Sequence, residues 1–121
     1  MAIVIKILIA LIALVHICIL YMEMFAWETL GKKTFRGVMP NEMFKPTKAL
    51  AANQGLYNGF LAAGLLWSLL ISDVLWSANV ALFFLSCVAV AGLYGGFTAS
   101  IKIVYVQAIP AIIAIIIILI S

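Results

Sequence analysis

His16 and Glu23 are the residues of this 121-residue chain best suited to acid–base chemistry. A histidine acts as a general acid or base, and a carboxylate serves as its charge partner or as a second acid–base group. Because the two residues are seven apart, they fall within about 20° of each other around a helix, but about 10 Å apart along its axis. That separation is too long for a direct hydrogen bond, so we expect a third polar group or a ligand between them.

Further hydrogen-bonding side chains stand in otherwise apolar segments and are candidate ligand-binding residues: Asn53, Gln54, Tyr57, Asn58 and Gln107. The first four cover an arc of about 140° on one helix, at 100° per residue. Gly55 and Gly59 occupy the adjoining arc, and Gly92 and Gly96 repeat the same spacing later in the chain. Such spacing lets a second helix approach closely. Either glycine pair is therefore a candidate contact for a homo-oligomer.

Residues that would hold a metal or a cofactor are missing from the sequence. The chain has a single histidine, and Cys18 and Cys87 lie inside apolar runs without a C-x-x-C pair. It also lacks a phosphate-binding loop, a nucleophile elbow and a dinucleotide fingerprint. We therefore expect no metal site and no cofactor, and we interpret both cysteines as packing residues.

Composition restricts the class of protein. Apolar residues make up 68% of the chain and charged residues 9%. A typical soluble domain has roughly 45–50% apolar residues and about 25% charged residues. A chain of this size cannot cover a water-exposed surface with so few charges. The numbers exclude a soluble globular protein, a disordered chain and a nucleic-acid binder of the basic-patch kind.

Four apolar stretches organise the sequence, at about residues 2–22, 50–72, 74–97 and 101–120. The first is about 31 Å long as a helix, which is enough to cross the hydrocarbon core of a bilayer. A membrane interior offers the backbone no hydrogen-bond partners, so such spans form helices. The sequence therefore predicts an all-α fold: a four-transmembrane-helix bundle in one integral membrane domain of residues 1–121.

The basic residues predict the orientation of that bundle. Six of the seven lysines and arginines lie in the first loop, residues 23–49, or at Lys102, which belongs to the same side of the bundle. By the positive-inside rule this side faces the cytoplasm and both termini lie outside. The lipid bilayer is then the main partner, with the basic loop against anionic lipid headgroups.

The depth of the polar residues indicates a pocket rather than a channel. In this orientation the seven candidate residues all fall in the cytoplasmic half or at its boundary, while the outer half is almost purely apolar. A pump or channel needs polar groups along its whole path. We therefore expect a polar pocket open toward the cytoplasm.

Several short strings resemble a known group of proteins: His16 with Glu23-Met24-Phe25 and Trp27, then Asn53-Gln54-Gly55-Leu56-Tyr57-Asn58-Gly59, then Gln107-Ala108-Ile109-Pro110-Ala111. In these strings the chain is similar to a family of small bacterial four-helix membrane proteins catalogued as a domain of unknown function. The resemblance covers nearly the whole chain. It implies a multi-pass protein of the bacterial plasma membrane and implies no substrate or catalytic residue.

Three functions remain open from the sequence. The favoured one is a membrane protein that binds or acts on a small lipophilic molecule, with His16 and Glu23 in acid–base roles and the amides orienting the molecule. Isomerisation or proton transfer would suit such an enzyme better than redox chemistry. The alternatives are a small multidrug-type transporter and an accessory subunit whose polar residues only hold helices together.

Overall fold

Four long helical segments form the body of the protein, close to the positions that the apolar stretches predict. The computed structural model describes residues 1–121 and contains five α-helices and no β-strand, which confirms the all-α prediction. The α-helices are α1 (Ile3–Phe25), α2 (Lys32–Thr34), α3 (Lys48–Leu70), α4 (Val74–Thr98) and α5 (Ile109–Ile120). Three short turns complete the set, a 3₁₀ turn at Asn41–Met43 and π-helical turns at Trp27–Gly31 and Val104–Ala108.

Local sequence signals explain where the helices begin and end. Asp73 stands at the start of α4, and its carboxylate accepts a hydrogen bond of 2.9 Å from the backbone N–H of Trp76. This N-cap satisfies one of the free donors of the first turn, so α3 and α4 need only a short connection. In the first loop, Gly37 has a φ of 84°. That left-handed conformation suits glycine and helps keep a long helix from running through the loop.

The last long segment, Val104–Ile120, begins with an irregular turn that Pro110 explains. Proline lacks the backbone N–H, and its ring clashes with the carbonyl of the residue four positions earlier, here Val106. The π-helical turn at Val104–Ala108 contains that residue and widens the helix just before the proline. Turns of this kind are found often at functional sites.

The four segments pack in a ring as antiparallel neighbours. The largest interface joins α1 to α3; α3 then packs on α4, α4 on the Val104–Ile120 segment, and α5 returns to α1. The two ends of the bundle differ. The loop end carries residues 26–47 and 99–101, and the terminal end carries both chain termini and the α3–α4 turn.

Small side chains and branched aliphatic side chains fill the centre of the bundle. The twelve-residue core consists of Ile5, Ile9, Ile12, Ala13, Ala62, Leu65, Ala81, Leu85, Val88, Ala89, Ala111 and Ala114. The exterior is apolar as well: Phe97 is 89% exposed and Leu70 is 80% exposed.

Two helices, α1 and α4, are long and apolar enough to cross a membrane. Helix α3 has 23 residues, as many as α1, but its first third is polar. The Val104–Ile120 segment is apolar and shorter. Length and composition therefore identify two candidate membrane spans, not four.

The terminal half of the bundle is less uniformly apolar than its sequence suggested. Ser68 and Ser77 are buried there, and the Ser77 hydroxyl donates a 2.7 Å hydrogen bond to the backbone carbonyl of Ser68 across the α3–α4 interface. Asn79 lies nearby in a shallow groove. The serines are tolerated because helix carbonyls satisfy their hydroxyls. They are local structural contacts and do not form a continuous polar path.

Candidate functional site

His16 is the most deeply buried ionisable residue of the chain, with no exposed surface. Its Nδ1 lies 2.8 Å from the backbone carbonyl oxygen of Ile12, one turn earlier on α1. Because a carbonyl oxygen only accepts, Nδ1 is the donor in this pair. In a neutral imidazole that assignment leaves Nε2 with a lone pair, ready to accept a hydrogen bond or a proton. Nε2 is buried and has no hydrogen-bond partner in the protein.

An unpartnered buried acceptor carries a cost that protein cores usually avoid. A polar atom that loses its hydrogen bond to water and gains none in the protein costs about 1–3 kcal/mol. His16 stands on the buried stripe of α1 that also contains Ile5, Ile9 and Ile12. An apolar residue would fill that position without the penalty. The buried, unpartnered Nε2 lone pair is therefore the feature of the bundle that most directly indicates a ligand.

Glu23 makes a cross-helix hydrogen bond to Asn58. The Asn58 amide Nδ2 donates to Glu23 Oε1 over 2.8 Å and also donates to the backbone carbonyl of Gln54 over 3.1 Å. Both amide hydrogens are thus engaged, which fixes the orientation of the Asn58 side chain. Glu23 is only 6% exposed. Its carboxyl group therefore faces α3 rather than the water at the loop end.

Two glycines bring α1 and α3 close enough for this hydrogen bond. A Cβ on Gly55 would lie 2.7 Å from Met24 Cγ and 3.0 Å from Glu23 Cβ, and Gly59 lies against Leu20 in the same way. The close approach that the glycine spacing predicts thus occurs within one chain. A homo-oligomer formed through this pair would have to displace α1.

The antiparallel register sets the depth of the two acid–base candidates. Glu23 faces Gly55 and Leu20 faces Gly59, so His16 lies about level with Ala62, near the middle of the bundle. No third polar side chain connects His16 to Glu23. Each has a different partner, and Leu20 packs between their levels.

Gln107 lies in the π-helical turn at Val104–Ala108 and is half-buried. A Cβ on Gly92 would lie 3.0 Å from Gln107 Cβ and 2.7 Å from the backbone nitrogen of Ala108. The second glycine pair is thus also occupied within the chain. The helix register places this contact at about the level of Glu23, so Gln107 and Glu23 belong to the same layer of the bundle.

The other three candidates lie on the outside of α3. Asn53 is exposed and donates a 3.1 Å hydrogen bond to the carbonyl of Ala49 on its own helix. Gln54 is exposed, and Tyr57 is 61% exposed with its ring beside Phe60. Of the seven predicted residues, the structure joins Glu23 to Asn58, buries His16 and half-buries Gln107. It does not bring Asn53, Gln54 or Tyr57 to them.

Among the pockets of the protein, two are surface grooves with a defined lining. One, of about 310 Å³, is lined by Trp67, Trp76, Asn79, Val80, Phe83 and Phe84 at the terminal end. The other, of about 430 Å³, lies in the first loop and has only polar lining residues. Neither groove contains His16, Glu23 or Asn58, so a pocket that joins these residues remains a prediction. No three histidine, cysteine, aspartate or glutamate side chains come together where they would hold a metal ion.

An aromatic cluster in the first loop is a feature that sequence reasoning missed. The Trp27 ring lies 5.6 Å from Phe35 and 5.1 Å from Phe44, centroid to centroid, and Phe44 is fully buried. The Trp27 indole N–H donates a 3.0 Å hydrogen bond to the Thr47 hydroxyl. These contacts fold the loop back on itself. Sequence alone shows the aromatic residues but not that they meet.

Comparison with known proteins assigns the chain to a family. Residues 10–119 match the family described as "Protein of unknown function (DUF1304)", and the chain belongs to it. The chain is also similar to the uncharacterized protein YpaA of Lactococcus lactis subsp. lactis (strain IL1403). The two are 33% identical over 107 residues, which cover 88% of each chain. No solved structure matches the chain at a significant level.

Proposed function

We propose that this member of the DUF1304 family is a four-span protein of the bacterial plasma membrane that binds a small lipophilic molecule inside its bundle. The molecule would donate a hydrogen bond, for example from a hydroxyl group, to Nε2 of His16. The observation that carries this proposal is the fully buried Nε2 without a protein partner. Residues 1–121 would form one integral membrane domain.

The apolar exterior supports the membrane placement. Helices α1 and α4 have the length and composition of spans, and they pack with α3 and the Val104–Ile120 segment in a single ring. A bilayer that surrounds α1 and α4 would surround their neighbours too. The exposed amides of α3 lie toward the loop end, where lipid headgroups and water would satisfy them.

The distribution of charge supports one orientation. Six of the seven lysines and arginines lie at the loop end, and Lys6 is alone at the terminal end. Positively charged loops remain on the cytoplasmic side of bacterial membranes. The loop end would therefore face the cytoplasm, with the amino and carboxyl termini outside.

The chemistry of the buried residues supports a lipophilic ligand with a polar group. His16 lies on the same buried stripe of α1 as Ile9 and Ile12, which belong to the apolar core, and this favours a ligand with an apolar body. Glu23, Asn58 and Gln107 lie closer to the loop end and would receive a second polar group of the molecule. If the protein is an enzyme, these residues favour proton transfer or isomerisation, with His16 as the base and Glu23 as a second acid–base group.

A structural role is the second candidate, and the Glu23–Asn58 hydrogen bond favours it. Cross-helix hydrogen bonds often do no more than hold membrane helices together, contributing about 0.6 kcal/mol each. In that case the protein would be an accessory subunit without a ligand. The His16 Nε2 atom separates the two candidates, because it holds no helices together.

Native mass spectrometry of the purified protein tests the proposal. His16→Leu removes both ring nitrogens, and the matched control Cys18→Ala changes an exposed residue of the same helix. We expect wild type and Cys18→Ala to carry a bound organic molecule that His16→Leu lacks, with similar melting temperatures. Equal occupancy in all three proteins would contradict the proposal.

A second variant, His16→Gln, keeps the test informative if His16→Leu does not fold. His16→Gln places an amide oxygen near the position of Nε2, and we expect partial retention of the bound molecule. If His16→Leu unfolds while His16→Gln is folded, full loss of the molecule in His16→Gln argues against hydrogen bonding at this position. If wild type carries no molecule at all, the structural role is the better account.

A further inference from the structure

The groove in the first loop has a polar lining in which cationic side chains predominate. It has a volume of about 430 Å³ and is lined by Glu28, Thr29, Lys32, Lys33, Arg36 and Asn41, which we call the basic groove. Three of these six side chains are cationic and one is anionic, so the lining carries a net charge of +2. The other two offer a hydroxyl and an amide. Such a lining suits a ligand with several anionic oxygens.

The basic groove rests on a folded segment rather than on loose chain. Gly31 is buried so close to Trp27 that an added Cβ would lie 2.7 Å from the indole ring. The Trp27–Thr47 hydrogen bond and the packing of Phe44 on Trp27 tie the segment to the start of α3. The segment that carries the cations is therefore ordered before a ligand binds, which lowers the entropy cost of binding.

The three cations line the same groove although they come from different local structures. Lys32 and Lys33 lie in α2, and Arg36 follows just beyond the end of that helix. The arginine guanidinium offers paired N–H donors that match two oxygens of a phosphate, and the lysine ammonium groups add point charges.

The position of the groove indicates where the phosphate comes from. The groove lies at the loop end, next to the ends of α1 and α3, where exposed apolar side chains such as Phe25 (72% exposed) and Leu50 (68% exposed) would meet the bilayer. A lipid bilayer presents its headgroup phosphates at the level where these apolar surfaces end.

We propose that the basic groove binds the phosphate of an anionic phospholipid headgroup. This inference rests on the membrane placement proposed above, but it involves neither His16 nor Glu23. It assigns Lys32, Lys33 and Arg36 a specific recognition role. The other cations of the loop end, Lys45, Lys48 and Lys102, would contribute only general attraction to the membrane surface.

Native mass spectrometry with defined lipids tests the assignment. The full-length protein is equilibrated with phosphatidylglycerol and phosphatidylcholine of equal chain length, and the bound lipids are counted. We expect the triple variant K32Q/K33Q/R36Q to lose the preference for phosphatidylglycerol by about tenfold or more. The matched control K45Q/K48Q/K102Q removes the same charge outside the groove and keeps the preference within about twofold.

Further variants and a soluble ligand make each outcome of this experiment decisive. Equal losses in the two triple variants would show nonspecific attraction and would overturn the assignment. If the groove triple variant fails to fold, the single variant Arg36→Gln, at an exposed residue, must still weaken phosphatidylglycerol binding. Glu28→Gln removes the only carboxylate of the groove and is expected to strengthen it. If soluble glycerol phosphate binds as tightly as the lipid, the ligand is a free phosphate compound instead.

Native mass spectrometry also distinguishes lipid binding in the basic groove from binding of the lipophilic molecule inside the bundle. Loss of the bound lipophilic molecule in His16→Leu, with unchanged phosphatidylglycerol binding, supports the bundle site regardless of the groove. Fractionation of the full-length protein into the soluble phase would overturn both proposals together.

Discussion

Replacing Glu23 and Asn58 by alanine, singly and together, measures the cross-helix contact at the centre of the candidate site. Their hydrogen bond is 2.8 Å long and Glu23 is 6% exposed, so Asn58→Ala leaves the carboxyl group nearly buried without its partner. A buried group that loses its partner costs about 1–3 kcal/mol, and measured couplings between membrane helices average about 0.6 and reach about 1.7 kcal/mol. We therefore expect a coupling free energy of about 0.6–2 kcal/mol.

Unfolding by sodium dodecyl sulfate in mixed micelles, followed by circular dichroism, gives the four free energies of the cycle. Asn53 supplies the matched control, because its amide donates to the carbonyl of Ala49 on its own helix and makes no hydrogen bond to α1. Glu23→Ala and Asn53→Ala should be additive within about 0.3–0.5 kcal/mol. A Glu23–Asn58 coupling no larger than this control would refute the contact.

Three further outcomes follow from local geometry. Gly92→Ala should destabilise the protein by about 1–3 kcal/mol in the same unfolding assay, because its Cβ would lie 2.7 Å from a backbone nitrogen; unchanged stability would contradict the close helix approach. Trp27→Phe should lose the 3.0 Å hydrogen bond to Thr47, which costs about 0.5–1.5 kcal/mol and speeds proteolysis of the first loop; an unchanged cleavage rate would argue against an ordered loop. In a cysteine-free background of intact cells, a membrane-impermeant maleimide should label Ser72→Cys and spare Lys33→Cys; the reverse pattern would invert the proposed orientation.

The all-α fold class and the approximate helix positions were predictable because their main signals are local. Long apolar stretches define the helices, and Asp73 marks the start of α4. The seven-residue spacing of His16 and Glu23 predicted that both lie on one face of α1, and both are buried there. These predictions depend on local composition and on helix periodicity, which a single sequence displays directly.

The composition of the candidate site was less predictable because it depends on packing between helices. The amides of α3 cover an arc wider than one interface, and the sequence does not show which part faces α1. Packing through Gly55 leaves Asn58 beside Glu23 and turns Asn53 and Tyr57 outward. Local spacing cannot fix that rotation, which is decided by the partner helix.

The π-helical turn and the aromatic cluster were not predicted, because neither leaves a periodic pattern in the sequence. The π-helical turn before Pro110 is five residues long and contains Gln107. Trp27 and Phe44 are distant in sequence and meet only because the first loop reverses direction. Long-range contacts of this kind leave no periodic pattern in the sequence.

A crystal structure of the wild-type protein grown from a lipidic mesophase tests the central proposal most directly. The proposal predicts electron density for an extended organic molecule within the bundle, with a polar atom at hydrogen-bonding distance from Nε2 of His16. A protein group or a lone water molecule on Nε2, with no extended density beside it, would contradict the proposal.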